Sequence, residues 1–201
     1  SCDNPDLYLI IGQDYHKNKM FKAKEIEGEL KYAVRRQEET IYHRQLKMTS
    51  PALNRFRDLV LYNLEAGQAV LTDNNDIRIY TDGKEKFHAL IEEMKRAKKY
   101  IHVQYYIIRN DEVWQDIEKV LIEKAHEGVE VRVLFDSMGC RTMHKRDWDR
   151  LKCEGIRVAE FFPAILGQLQ MRVNYRNHRK IVVIDGKVGF VGGFNVGREY
   201  I

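Results

Sequence analysis

Long apolar runs are missing from this chain: no stretch approaches the roughly twenty residues of a membrane span. Asp3 and Asp6 interrupt the start, so no signal peptide is expected there. Cysteine is scarce, three in 201 residues. Cys2, Cys140 and Cys153 are odd in number and form no C-x-x-C pair. That pattern argues against a disulfide framework or a structural zinc, and predicts reduced thiols in a cytosolic setting. There is no internal repeat, no low-complexity linker and no cluster of metal-ligand side chains, so neither a metal nor a cofactor is expected. Charge of one sign hardly dominates: 34 Lys and Arg against 30 Asp and Glu leave a formal +4. Such an excess suits an anionic partner without choosing between nucleic acid and an anionic membrane.

What remains is a globular composition, 44% hydrophobic and 10% aromatic, in a length that suits one packed domain plus an extension. From Lys22 to about Lys47, Ile26, Leu30, Ala33, Val34, Ile41 and Leu46 loosely follow one helical face. Ser50-Pro51 predicts an N-cap and first helical position, opening a second helix through Phe56, Leu59, Val60 and Leu64 to Gly67. Val70-Leu71 and Ile77 to Tyr80, flanking Asp73 to Asp76, predict a hairpin. Helices are then expected after Gly83, over Trp114 to His126 and over Met143 to Cys153. Strands are expected over Tyr100 to Ile108, Val129 to Phe135 and Ile156 to Phe161. This alternation predicts an α/β fold, with a mixed, largely parallel sheet flanked by helices and an N-terminal helical extension. The boundaries fall at 1–67 for the extension and 68–201 for the domain.

The chemistry concentrates in the segment from Asn177 to Asn195, which reads H-x-K-x4-D-x6-G-G-x-N. His178 and Lys180 are two residues apart, so in extended backbone an imidazole and an ammonium leave the same face. Ile181 to Ile184 predicts a buried strand, Asp185-Gly186 a hairpin turn and Val188 to Val191 the returning strand. Gly192 and Gly193 let backbone come close to an anion, beside which Asn195 can donate an amide hydrogen bond. Phosphodiester chemistry without metal needs a nucleophile, an acid for the departing alkoxide and cations for the non-bridging oxygens. His178 fits the nucleophile; Lys180 and Asn195 fit the charge-holding groups.

The other histidines, His16, His43, His88, His102, His126 and His144, lack such company, and His102 between Ile101 and Val103 is expected to serve packing. Among arginines, Arg172, Arg176 and Arg179 alternate near the motif, and Arg176 is the candidate for lipid phosphate. Phe161 to Leu169 is an apolar loop that fits an acyl chain or a membrane surface as well as an ordinary core contact.

This motif resembles the catalytic signature of the phospholipase D superfamily. Asn174 to Lys180 and Gly192 to Tyr200 resemble bacterial cardiolipin synthases, as do Tyr80-Thr81-Asp82-Gly83, Ile101 to Tyr106, Lys124 to Arg132 and Asp136-Ser137-Met138-Gly139. The resemblance covers roughly residues 70 to 201. It implies that His178 is the nucleophile or general acid, that Lys180 and Asn195 bind phosphate, and that Asp185, first a turn residue, supports catalysis. Glu199 is the candidate for orienting a histidine. It further implies that two phosphatidylglycerol molecules are joined into cardiolipin with release of glycerol, through a phosphatidyl-histidine intermediate. Leu7 to Gly12 and its basic tail, His16 to Lys24, resemble the segment directly after that family's membrane helices, implying a bacterial cell membrane with the catalytic part on the cytoplasmic side.

One departure limits the match. The chain has a single H-x-K-x4-D, whereas the family sets two face to face, in one polypeptide or a homodimer. The expectation is therefore a first catalytic half that needs a second HKD half or a homodimer partner. The anticipated partners are phosphatidylglycerol and an anionic membrane, with no nucleic acid. The competing readings are a dimeric nuclease or phosphodiesterase of the same superfamily, and a noncatalytic membrane-binding or scaffold half.

Overall fold

The computed structural model describes residues 24–42, 55–72, 75–161 and 176–201. The N-terminal stub, the Ser50-Pro51 cap, the apolar loop beyond Phe161 and Arg172 lie outside the described residues. The described residues up to Arg78 pack as one unit and residues 79–201 as another.

The first unit holds helix α1 (Lys24–Tyr42) and helix α2 (Arg57–Gly67). Their apolar stripes bury Val34, Ile41 and Leu64, against which Val60, Leu61 and Val70 pack. The hairpin expected over residues 70 to 80 is absent among the described residues. The Leu71 backbone pairs instead with a side chain: the Gln37 amide donates to its carbonyl at 2.9 Å and accepts from its N–H at 2.6 Å. With those groups satisfied by α1, and Ile77 and Ile79 left exposed, nothing drives two short strands to pair.

The second unit opens with α3 (Gly83–Arg96), whose N-cap Asp82 accepts the Glu85 N–H at 2.9 Å. Phe87, Leu90 and Met94 form its buried stripe. Then come β1 (Tyr100–Tyr105), α4 (Glu112–His126), β2 (Glu130–Asp136), α5 (Lys145–Cys153), β3 (Arg157–Phe161), β4 (Ile181–Ile184) and β5 (Val188–Val191). The strands form one sheet in the order β3-β2-β1-β4-β5. β1 pairs in parallel with β2 and β2 with β3, while β4 is antiparallel to both β1 and β5. Every strand except β4 thus runs the same way, which makes the sheet mixed and largely parallel.

One sheet face is the core. Ile101, Val103, Tyr105, Val131, Val133, Phe135, Val182 and Ile184 alternate inward against α3, α4 and α5, whose Leu90, Ile117, Leu121 and Leu151 are fully buried. Burying each of these leucines contributes about 1.5–3 kcal/mol. Phe135 stacks on Trp148 at 3.9 Å between ring centroids, locking α5 to the end of β2. The opposite face carries a polar cluster instead: His102 Nε2 lies 3.1 Å from Glu130, which also accepts from Arg132 at 2.9 Å. His102 is therefore a half-exposed residue in polar contact with Glu130, not the buried packing residue expected.

Candidate active site

The common direction of β1, β2 and β5 brings their carboxyl ends to one edge of the sheet, where β4 begins, and the motif is assembled there. Lys180 enters β4 from the core side and is buried, 6% exposed, while His178 stays exposed. The Lys180 Nζ lies 2.8 Å from Nδ1 and 3.1 Å from Nε2 of His178, and donates to the His178 carbonyl at 2.7 Å. The shared-face expectation for these two residues is thus met by direct contact. An ammonium can only donate, so a ring nitrogen bonded to it presents the lone pair that a nucleophile would use once that bond is released. Burial holds the Lys180 pKa below its usual 10.5. A phosphodiester anion arriving beside it would raise that pKa again.

Asn195 reaches the same edge through a parallel bridge between Ile108 and Val196. The Arg109 N–H donates to the Val196 carbonyl at 2.9 Å and the Val196 N–H to the Ile107 carbonyl at 3.1 Å. The Asn195 side-chain oxygen accepts the Ile107 N–H at 3.2 Å, and its amide donates to the Tyr200 hydroxyl at 2.7 Å. Both amide ends are thereby fixed in a buried position. Farther along, the Asp111 carboxylate caps α4 through the Val113 and Trp114 N–H groups and accepts the Arg198 N–H at 2.7 Å. The helix start thus anchors the segment that carries Asn195.

Several site residues had no signal in the motif. Tyr106, just after β1, lies with its ring 4.6 Å from the His178 ring at 47°, and the Lys180 Nζ is 5.4 Å from its centroid. Asp136, 1% exposed at the end of β2, accepts the Met138 N–H at 2.9 Å and the Asn177 N–H at 3.1 Å. It therefore holds the backbone immediately before His178. Cys140 accepts the Ile108 N–H at 3.2 Å and donates to the Tyr106 carbonyl at 3.5 Å; burial pushes its thiol up to about 12, so it is a structural group and not a nucleophile. Within the resemblance, Tyr106 and Asp136 were visible only as members of longer matching segments.

Asp185 occupies the turn that the sequence assigns to it first. It sits at the far end of β4 and its carboxylate accepts the N–H groups of Lys98, Lys99 and Tyr100 at 2.8, 2.8 and 2.9 Å. These donors hold its pKa below the ordinary carboxylate range. It clamps the entry of β1 to the β4–β5 turn, where its φ of 54° and the 67° of Gly186 make the tight reversal. Glu199 accepts from Arg109 Nε at 3.1 Å, so its partner is a cation and not His178. Arg176 is half-buried two residues before His178. Gly192 and Gly193 are exposed, and a Cβ on either would meet open space. Among the described residues no group of three or more His, Cys, Asp or Glu side chains is placed to hold a metal, and no helix is long and apolar enough to cross a membrane.

Comparison with known proteins bears on the same region. The family described as cardiolipin synthase, PLD-like domain, matches residues 90–201. The cardiolipin synthase of Oceanobacillus iheyensis is 43% identical over 196 residues, covering 97% of this chain and 41% of that protein. Cardiolipin synthase 2 of Staphylococcus epidermidis is 42% identical over 196 residues, covering 97% of this chain and 40% of that protein. The chain thus spans about two fifths of the length of these relatives. Among solved structures, NucT from Helicobacter pylori is similar over 59% of this chain and 71% of its own, at 18% identity and a TM-score of 0.43.

Proposed function

Since this chain belongs to the cardiolipin synthase family of phospholipase D-like domains, we propose that it supplies one half of a phosphatidyltransferase active site that joins two phosphatidylglycerol molecules into cardiolipin and releases glycerol. The observation that carries this reading is the buried Lys180 ammonium in hydrogen-bond contact with the exposed His178 ring. This contact supports the reading because a nucleophile and a cation for its phosphate must act at one point.

In the proposed cycle a His178 ring nitrogen attacks phosphorus, the P–N bond forms and the P–O bond to glycerol breaks. The glycerol oxygen takes a proton from the imidazolium of a second H-x-K motif, in the same longer polypeptide or in a partner copy. A hydroxyl of the second phosphatidylglycerol returns that proton as it attacks, and the P–N bond breaks. Lys180 and Asn195 hold the non-bridging oxygens, with Gly192, Gly193 and Arg176 beside them. The substrates reside in an anionic bilayer, so the site works at a bacterial membrane surface, on its cytoplasmic side, without metal or cofactor.

The test supplies labelled phosphatidylglycerol and plasmid DNA, separately, to the full-length protein and to its His178→Ala form. Cardiolipin formed only by the unsubstituted protein supports the proposal. Cleaved DNA with no lipid product contradicts it and favours a nuclease.

A further inference from the structure

We propose that Tyr106 stabilises the charge that develops on His178 when the phosphorus–nitrogen bond forms, acting through the face of its ring. This inference rests on the phosphatidyl-histidine reading above and adds to it a group that the motif does not contain. The ring of Tyr106 is 4.6 Å from that of His178, and the Lys180 ammonium lies 5.4 Å from its centroid, inside the roughly 6 Å over which an aromatic face attracts a cation. Tyr106, His178 and Lys180 therefore form a triangle in which each member contacts the other two.

The charge changes during the reaction at two corners of this triangle. Before substrate binds, the Lys180 Nζ lies 2.8 Å from a ring nitrogen of His178. As one ring nitrogen bonds phosphorus while the other keeps its proton, the imidazole becomes a cation. At the same time Lys180 must turn an N–H group from the His178 ring to the phosphate oxygens. The imidazole then loses its hydrogen-bonded neighbour just as it becomes charged, while the negative face of Tyr106 stays against it. Because the attraction is greater for the charged ring than for the neutral one, it lowers the barrier to bond formation more than it aids substrate binding.

The backbone around Tyr106 is built to hold the ring still. A Cβ on Gly139 would stand 1.9 Å from the Tyr106 carbonyl, so the loop after β2 closes on that backbone at a distance only glycine allows. Cys140 donates to the same carbonyl, and the next N–H, of Ile107, fixes Asn195. Tyr106 is thereby tied to the phosphate-binding amide on one side and to the imidazole on the other.

The experiment measures single-turnover formation of labelled phosphatidyl-histidine in the full-length protein, together with kcat and KM, for the unsubstituted chain, Tyr106→Phe, Tyr106→Leu and Tyr106 replaced by pentafluorophenylalanine. The last keeps the size of the Phe ring and removes its negative face, so it stays informative if Tyr106→Leu unfolds. The expected result is near-normal labelling in Tyr106→Phe and a rate lower by about tenfold in the other two, the rate equivalent of a partly desolvated cation–aromatic contact, with KM changed by less than about twofold. Equal rates for Phe and the fluorinated ring overturn the inference while leaving the intermediate intact. Loss of labelling in Tyr106→Phe also overturns it, by assigning the effect to the hydroxyl. Absence of label on His178 in the unsubstituted protein overturns the underlying reading and this inference with it.

Discussion

The Asp136 carboxylate accepts the N–H of Asn177 at 3.1 Å, one residue ahead of His178. A buried group at the end of one strand thus sets where the motif enters another, although 41 residues separate the two. The same carboxylate also accepts the Met138 N–H, which begins the loop packed on Tyr106.

Replacing Asp136 tests that arrangement. Asp136→Ala leaves two N–H groups without their acceptor, each omission costing about 1–3 kcal/mol if no water replaces it. Asp136→Asn keeps one acceptor oxygen and is expected to unfold at a temperature between the other two forms. Both are expected to lower kcat by about tenfold or more, because displacement of His178 damages orientation first. Calorimetry and steady-state kinetics on the full-length protein check this; unchanged kcat in Asp136→Ala would contradict it.

Gly139→Ala is expected to damage the site from the other side of the same loop. Its methyl group would fall 1.9 Å from the Tyr106 carbonyl, and backbone must move to relieve the clash. The expected loss is about 1–3 kcal/mol in stability, with a fall in labelling of His178. Gly155→Ala, at a φ of 85° but with nothing within 4 Å of the new carbon, is the control: it strains the backbone away from the site. Equal activity losses in the two variants would show that loop closure on Tyr106 is unimportant.

Asp185 predicts the acid behaviour of the fold. Its folded pKa lies below the ordinary value of 3.8, so its contribution is complete above that value, where the carboxylate is ionised in both states. As pH falls from about 3.8 through the lower folded value, the unfolded chain takes up the proton first and the contribution is lost. Asp185→Asn is therefore expected to be less stable at neutral pH and to lose less on acidification. Urea unfolding at pH 7 and about pH 3 measures this; parallel losses in both proteins would contradict the assignment.

Lys86 predicts a slope of the same sign in a higher pH range. It is 9% exposed, donates to the Tyr105 hydroxyl at 2.7 Å, and burial lowers its pKa to about 7. Below that value both states are protonated and the native state carries the cost of a buried ammonium. From about pH 7 to 10 the native state sheds the proton while the unfolded chain keeps it, so stability rises with pH, by about 1.4 kcal/mol per unit of pKa difference. Lys86→Met is expected to be more stable at pH 7 and to lose that rise, as denaturant titrations at the two ends would show. An unchanged slope in Lys86→Met would contradict this.

What the chain makes legible depends on the range of each interaction. The β4–β5 hairpin was readable because Ile181 to Ile184, the Asp185-Gly186 turn and Val188 to Val191 are a local pattern. The contact of Lys180 with His178 was readable because residues two apart in extended backbone leave the same face. The Val70 to Tyr80 hairpin failed because Gln37, 34 residues earlier, takes the Leu71 backbone groups. Tyr106 read as one more residue of a β-rich run, since nothing local says that a ring just past the strand end meets a histidine 72 positions later. Asp185 belonged to the motif yet serves Lys98, Lys99 and Tyr100: spacing marks which residues matter, and only the hydrogen bonds show for what.

The central claim is that His178 carries the transferred group while Lys180 holds its phosphate. Rapid acid quench of the full-length protein during turnover of phosphatidylglycerol labelled at phosphorus, with subsequent peptide mapping, tests it most directly. The expected result is label on the peptide bearing His178, with accumulation strongly reduced in Lys180→Met. Label on any other residue, or turnover to cardiolipin with His178 replaced by Ala, would contradict it.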